Sequence, residues 1–158
     1  MKKGLTFVEL MVAITISLVL FGVVMLYLNP KEMKEKARDV KRFSDLTKIE
    51  RAINEYRMAN GKYPGFAGVT VISTTLPPGA TQLQSSSRGW INGDISAFME
   101  MLPTDPINDL GCYYSYTHDD TSYELNARLE YYSDKMTGDG GNDPTAYEVG
   151  TNLLLMSP

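Results

Sequence analysis

The chain has 158 residues, 22% of them charged, and a formal net charge of −4, which suits one domain plus an anchor. One cysteine, Cys112, and one histidine, His118, exclude an intrachain disulfide and leave few nucleophile–base pairings; no phosphate-cradling glycine motif is present. Charge is split along the chain: residues 31–61 carry nine basic and six acidic side chains, residues 62–158 four and twelve, so the second part repels phosphate backbones and no direct nucleic-acid binding is expected of it.

The first element decides the class. Leu10–Leu28 is an apolar run whose only polar members are Thr15, Ser17 and Tyr27. About 20 such residues cross a bilayer as a helix, and Thr15 and Ser17 can bond back to their own helix. Lys2 and Lys3 precede the run and stay cytoplasmic, which puts the rest of the chain outside. A secretory signal peptide fits poorly, because its apolar region is about 7–15 residues and ends in a small-residue cleavage site. A plain single-pass anchor does not account for Glu9, which sits in L-T-F-V-E-L-M-V. An acidic side chain there is expensive, about 2.5–3.5 kcal/mol for Asp at mid-bilayer, and needs a partner. Cutting after Gly4 would leave Leu5 as a new N-terminus whose amine can pair with Glu9 of its own chain or of a neighbour.

K-K-G-L-T-F-V-E-L resembles the class III leader and cleavage motif of type IV prepilins and pseudopilins. The resemblance implies cleavage by a prepilin peptidase between Gly4 and Leu5, methylation of the new N-terminus, and an assembly role for Glu9. Many family members also carry a glycine and a proline where this helix melts in the fibre; here the only breakers are Gly22 and Asn29-Pro30.

Pro30 predicts a kink or short break at Asn29. Beyond it Met33, Ala37, Val40, Phe43, Leu46, Ile49, Ile53 and Tyr56 recur at helical spacing. Glu32 with Lys36 and Arg51 with Glu55 are in register for support. Gly61 and Pro64 end the helix. A helix from Leu5 to Ala59 would be about 80 Å long, more than a domain this small needs for itself. A coiled coil is the plainer reading of the stripe, but about 95 residues of head also need covering.

Gly65–Gly93 reads as a long loop from which Trp90 and Ile91 reach the core. Ile95–Met101 reads as a short helix capped by Asp94 and stopped at Pro103. Cys112–Thr117 and Ser122–Glu130 read as strands joined by a turn at His118–Thr121, the second with the alternation of a half-buried strand. Cys112 is expected to be a small buried residue at a strand start and His118 a solvated turn residue. Tyr147–Leu155 reads as a third strand. The expected fold is α+β and pilin-like: a long N-terminal helix, half transmembrane and half amphipathic, packed on a small antiparallel sheet head. Its parts are a leader at 1–4, a membrane and fibre-core helix at 5–29, an amphipathic helix at 30–61 and the head at 62–158. Segments such as A-R-D-V-K-R-F-S-D-L, N-E-Y-R-M-A-N-G-K-Y-P and L-P-T-D-P-I-N-D extend the resemblance along the chain.

In function the resemblance implies a structural subunit of a type IV pilus, serving adhesion, twitching motility or DNA uptake, or alternatively a type II secretion pseudopilin. The expected partners are further copies in a helical homopolymer, other or minor pilins, the prepilin peptidase, the inner-membrane assembly machinery and the membrane itself. The precursor would sit in the cytoplasmic membrane with its head outside and then enter an extracellular fibre. A membrane-tethered enzyme would have to work with paired carboxylates alone.

One loop is a candidate cation site. Asp134, Asp139, Asn142 and Asp143 offer side-chain oxygens and Gly138, Gly140 and Gly141 permit tight turns, the chemistry calcium takes; the spacing is not that of an EF-hand. Some pseudopilins hold calcium in a C-terminal loop, and this head has no disulfide to pin its own.

Overall fold

The computed structural model describes residues 4, 6–27, 29–76 and 89–158. Two compact units divide it, Met1–Lys34 and Glu35–Pro158. In the first, α1 (Phe7–Tyr27) is apolar on every side. Phe7–Met25, 19 residues, is long and apolar enough to cross a membrane and none of it is buried. The Thr15 hydroxyl bonds back to the Met11 carbonyl at 2.9 Å. The expected break is present: α1 stops at Tyr27 and α2 (Pro30–Asn60) starts anew. Asn29 caps α2 through Oδ1 to the Glu32 N–H at 3.4 Å. Pro30 then takes the first helical position, where a missing N–H costs nothing.

In the second unit α2 buries Leu46, Ile49, Ala52 and Ile53. The apolar stripe does not run along the whole helix, however. Met33 and Val40 are 56% and 58% exposed and Ala37 is exposed too. At that level the buried side chains are Asp39, Arg42 and Asp45, which are paired with one another or with the head. Gly61, at φ 71° with its N–H 2.8 Å from the Arg57 carbonyl, closes the helix as a left-handed cap.

The sheet is fully antiparallel in the order β1 (Val71–Ile72), β2 (Tyr114–His118), β3 (Tyr123–Ala127), β4 (Tyr147–Gly150). One face carries Tyr114, Tyr116, Tyr123 and Leu125 onto Leu46, Ile49 and Ile53; Trp90, Ile91, Ile95 and Leu102 complete the core. Trp90 and Ile91 are thus in the core as expected, Trp90 donating to the Pro103 carbonyl at 2.9 Å. Residues 77–88 of the long loop lie outside the described residues.

Six expectations need correction. The segment 95–101 is a single turn rather than a helix, with the Phe98 and Met99 N–H groups both on the Ile95 carbonyl; seven residues ahead of a proline are too few to repay helix nucleation. The first hairpin strand starts two residues later than expected and includes His118, so the turn is Asp119–Ser122. His118 is 6% exposed, with Nδ1 2.8 Å from the Asp119 carbonyl and its ring stacked on Tyr116 at 5.8 Å. Cys112 lies half-buried ahead of the strand. The pattern expected of β3 was half-buried, yet every residue of it is buried, because the C-terminal segment covers the polar face: Glu124 Oε2 accepts the N–H groups of Leu155 and Met156 at 2.7 and 2.9 Å. For the same reason β4 ends at Gly150, not Leu155. A Cβ on Gly150 would lie 2.2 Å from the Tyr123 carbonyl oxygen, so only glycine lets the chain cross here. A short helix, α3 (Ser133–Met136), opens the acidic loop.

Candidate functional site

Three constellations carry chemistry, one in the first unit and two in the second. At the start of α1, Thr6 and Glu9 form a reciprocal cap. Glu9 N–H donates to Thr6 Oγ1 at 3.2 Å, while the Thr6 N–H and hydroxyl both donate to Glu9 Oε2 at 2.8 Å. This is a capping box, with Thr6 as N-cap and Glu9 three residues on. It gives the carboxylate two donors within its own helix. Gly4 is exposed with open space where a Cβ would be; Leu5 lies outside the described residues. Thr6 was missed as a site residue, although T-x-x-E ahead of an apolar run is the sequence signal for it.

The second constellation was not foreseen. Arg42, fully buried, grips Asp105 with a two-pronged fork at 2.6 and 3.0 Å and also pairs with Asp39 at 2.8 Å and Glu130 at 2.7 Å. Arg38 makes a second fork onto Glu130, both prongs at 2.6 Å. Asp39 accepts the backbone N–H groups of Glu130, Tyr131 and Tyr132, which draws the chain out of β3 before the expected end at Glu130. Burial alone would lower the Arg42 pKa, but hydrogen bonds to Asp105, Glu130 and Asp39 outweigh it and leave it raised. The Arg38 hydrogen bond, with Arg42 behind it, holds Glu130 below the ordinary carboxylate range. Three segments singled out in the sequence therefore meet here: R-D-V-K-R, L-P-T-D-P and the end of the second hairpin strand.

The third is the acidic loop. Asp134 is exposed on α3. Asp139 caps backbone with both oxygens, accepting Gly141 N–H at 3.0 Å and Glu148 N–H at 2.8 Å. Asp143 Oδ1 accepts the Thr145 N–H and hydroxyl, and Asn142 Nδ2 donates to the Met156 carbonyl. Among the described residues no group of three or more His, Cys, Asp or Glu side chains is placed to hold a metal. Yet two buried oxygens in this region, Asn142 Oδ1 and Glu148 Oε1, have no hydrogen-bond partner. Glu148 was not singled out in the sequence. Burial, with the Glu124 carboxyl beside it, pushes its pKa up to about 7. Gly141 makes room for it: a Cβ there would lie 1.6 Å from Glu148 Oε2.

An exposed apolar α1 with a capped acid at its start has the length and composition of a membrane anchor. The comparisons agree. Residues 1–25 match the family model described as the prokaryotic N-terminal methylation motif. Over 111 residues the chain is 33% identical to the type II secretion system core protein G of Escherichia coli (strain K12), covering 66% of this chain and 66%, just under two thirds, of that protein. No solved structure matches it. The chain thus carries the N-terminal methylation motif of type IV pilins and pseudopilins and is similar to a pseudopilin; the members of that family are structural subunits rather than enzymes.

Proposed function

We propose that the chain is a fibre subunit, cut by prepilin peptidase after Gly4, held in the cytoplasmic membrane by α1 with its head outside, and polymerised with further copies through α1. One observation carries this reading: Phe7–Met25 is wholly exposed in the subunit and begins with a carboxylate. Lipid covers such a helix in the precursor, and neighbouring helices cover it in a fibre. Minor pilins and the inner-membrane assembly machinery complete the set of partners. Of the two kinds of fibre, likeness to a secretion core protein favours the short pseudopilus of a secretion system over a type IV pilus. Shearing cells at native expression and imaging the supernatant separates them, since long surface fibres are expected only of the pilus.

Processing is tested directly. Mass spectrometry of the assembled protein is expected to show Leu5 as a methylated N-terminus. Nothing lies within 4 Å of a Cβ built on Gly4, so Gly4→Leu is expected to leave the fold intact and the leader uncut. Assembled protein that still begins at Met1 would refute the cleavage.

We also propose that the loop 134–143 takes calcium. The support is chemical: its donors are oxygens, and Asn142 Oδ1 and Glu148 Oε1 lack partners. Asp139 and Asp143 would have to turn from their backbone donors to join them. Binding to the folded state alone stabilises it by RT ln(1 + [L]/Kd), about 2.7 kcal/mol at a hundredfold excess over Kd. The melting midpoint is therefore expected to rise in millimolar calcium and fall in chelator. Equal midpoints with no calorimetric heat of binding would exclude the site.

A further inference from the structure

The second face of the sheet buries acid without a counter-charge. Side chains alternate along a strand, so Glu124 and Asn126 of β3 lie on the face opposite Tyr123 and Leu125. Glu148 of β4 stands across from Asn126 in the register. All three are withdrawn from water, at 0%, 6% and 2% exposure. The Glu124 and Glu148 carboxyls are in hydrogen-bond contact with each other. Neither takes part in the ion pairs of the described residues. Two carboxylates in contact repel unless a proton or a cation lies between them.

The neighbouring oxygens decide between the two. Glu148 Oε1, Asn126 Oδ1 and Asn142 Oδ1 are all buried without a hydrogen-bond partner. The orientation of Asn126 follows from chemistry. Its Nδ2 donates to Glu124 Oε1 at 2.8 Å, and since a carboxylate only accepts, the carbonyl oxygen is the atom left over. Asn142 is tied to Glu124 through one residue: its Nδ2 donates to the Met156 carbonyl at 3.1 Å, and Glu124 Oε2 accepts the Met156 N–H at 2.9 Å.

One proton satisfies one of these oxygens and leaves the others. Water can donate to the two amides but brings no charge for the carboxylates. A divalent cation serves carboxylates and amide oxygens together. A donor set made only of oxygen selects a hard cation. Calcium takes about six to eight oxygens in loose geometry, whereas magnesium keeps much of its water, so a set of protein side chains suits calcium better.

Resting on the calcium reading above, we infer that the ion is held against the sheet, by Glu124, Asn126 and Glu148 together with Asn142 from the loop. Asp139 and Asp143 then keep their backbone donors. The same residues hold the C-terminal segment, so the site joins β3, β4, the loop and that segment. Calorimetric titration of the full chain in detergent with calcium chloride, after metal is removed by chelator, tests the assignment. The wild type is expected to bind. Asn126→Ala takes away an oxygen of the sheet and is expected to weaken binding at least about tenfold, since the loss of even an outer partner of a metal ligand costs about 10–100-fold. Asn126→Asp keeps the size and adds a third carboxylate. Its melting point is expected to fall in chelator and to rise further than that of the wild type when calcium is added. An asparagine that only packs would not give this pair of opposite shifts. If Asn126→Ala does not fold, Asn126→Asp still reports. Unchanged affinity in Asn126→Ala overturns the sheet site and leaves calcium in the loop standing. So does a calcium response in Asn126→Asp no larger than that of the wild type. No binding by the wild type removes both.

Discussion

A Glu9→Leu subunit is expected to insert, fold its head and fail to assemble, with sheared fibre reduced at least about tenfold. The first two outcomes follow from placement. Glu9 lies in the first unit, while the packed core lies within Glu35–Pro158. Removing an acid from an apolar helix also makes insertion easier, by up to about 2.5–3.5 kcal/mol at the bilayer centre and less near the helix end. The third rests on the proposed pairing of the carboxylate with the Leu5 amine of an adjacent subunit. The structure shows a rival use for Glu9, the cap with Thr6, whose loss would fray the helix start at a cost of about 1 kcal/mol. Glu9→Gln separates the two. Glutamine serves in a capping box as glutamate does, but it has no charge to offer an amine. Assembly is expected to fail in Glu9→Gln as in Glu9→Leu. Thr6→Val, which keeps the charge and loses the cap, is expected to assemble. Normal fibre yield from Glu9→Gln would dismiss the charge pairing and leave only the cap.

What was legible in the sequence was what local chemistry decides. A run of apolar residues, a proline after asparagine and a glycine before K-Y-P each fix backbone or solvent preference within a few residues, and α1, the break at Asn29 and the cap at Gly61 appear where those signals stand. Trp90 and Ile91 were legible as large apolar side chains in a polar loop. What was not legible depends on partners distant in the chain. Asp39, Arg42 and Asp45 look like a solvated face, because helical patterning assigns charges to water. Arg42 is buried only because Asp105 arrives from 63 residues away. The same holds for the polar face of β3: Glu124 and Asn126 read as exposed until a C-terminal segment some thirty residues on covers them. In the acidic loop the aspartates were visible, but Glu148, with its unpartnered oxygen, sits inside a strand pattern and gave no signal of its own.

Arg42→Met is expected to be the most damaging single change in the head. The guanidinium is the sole cation for Asp39 and Asp105 among the ion pairs of the described residues, all three side chains being fully buried. Taking it away leaves carboxylates out of water with no opposite charge. Breaking a buried pair from one side costs about 3–5 kcal/mol, more than the pair itself is worth against an apolar replacement. For a domain of this size that corresponds to a melting point lowered by roughly 10–20 °C. Arg42→Lys keeps the charge but cannot make the two-pronged bond to Asp105 while also reaching Asp39 and Glu130, so an intermediate loss is expected. The network also sets an acid limit. Glu130 has a folded pKa below its unfolded value, so its contribution is fully present above the ordinary carboxylate range and is lost as pH falls through the lowered folded value. The wild-type head is therefore expected to lose stability progressively below about pH 4–5, and Glu130→Gln to flatten that part of the profile. Thermal denaturation of the full chain in detergent, followed by circular dichroism at neutral and acid pH, measures both effects. An Arg42→Met melting point within a few degrees of wild type would mean that Asp39 and Asp105 become solvated or take up protons when the cation is gone, and that the buried fork does not hold α2 to the loop that carries Asp105.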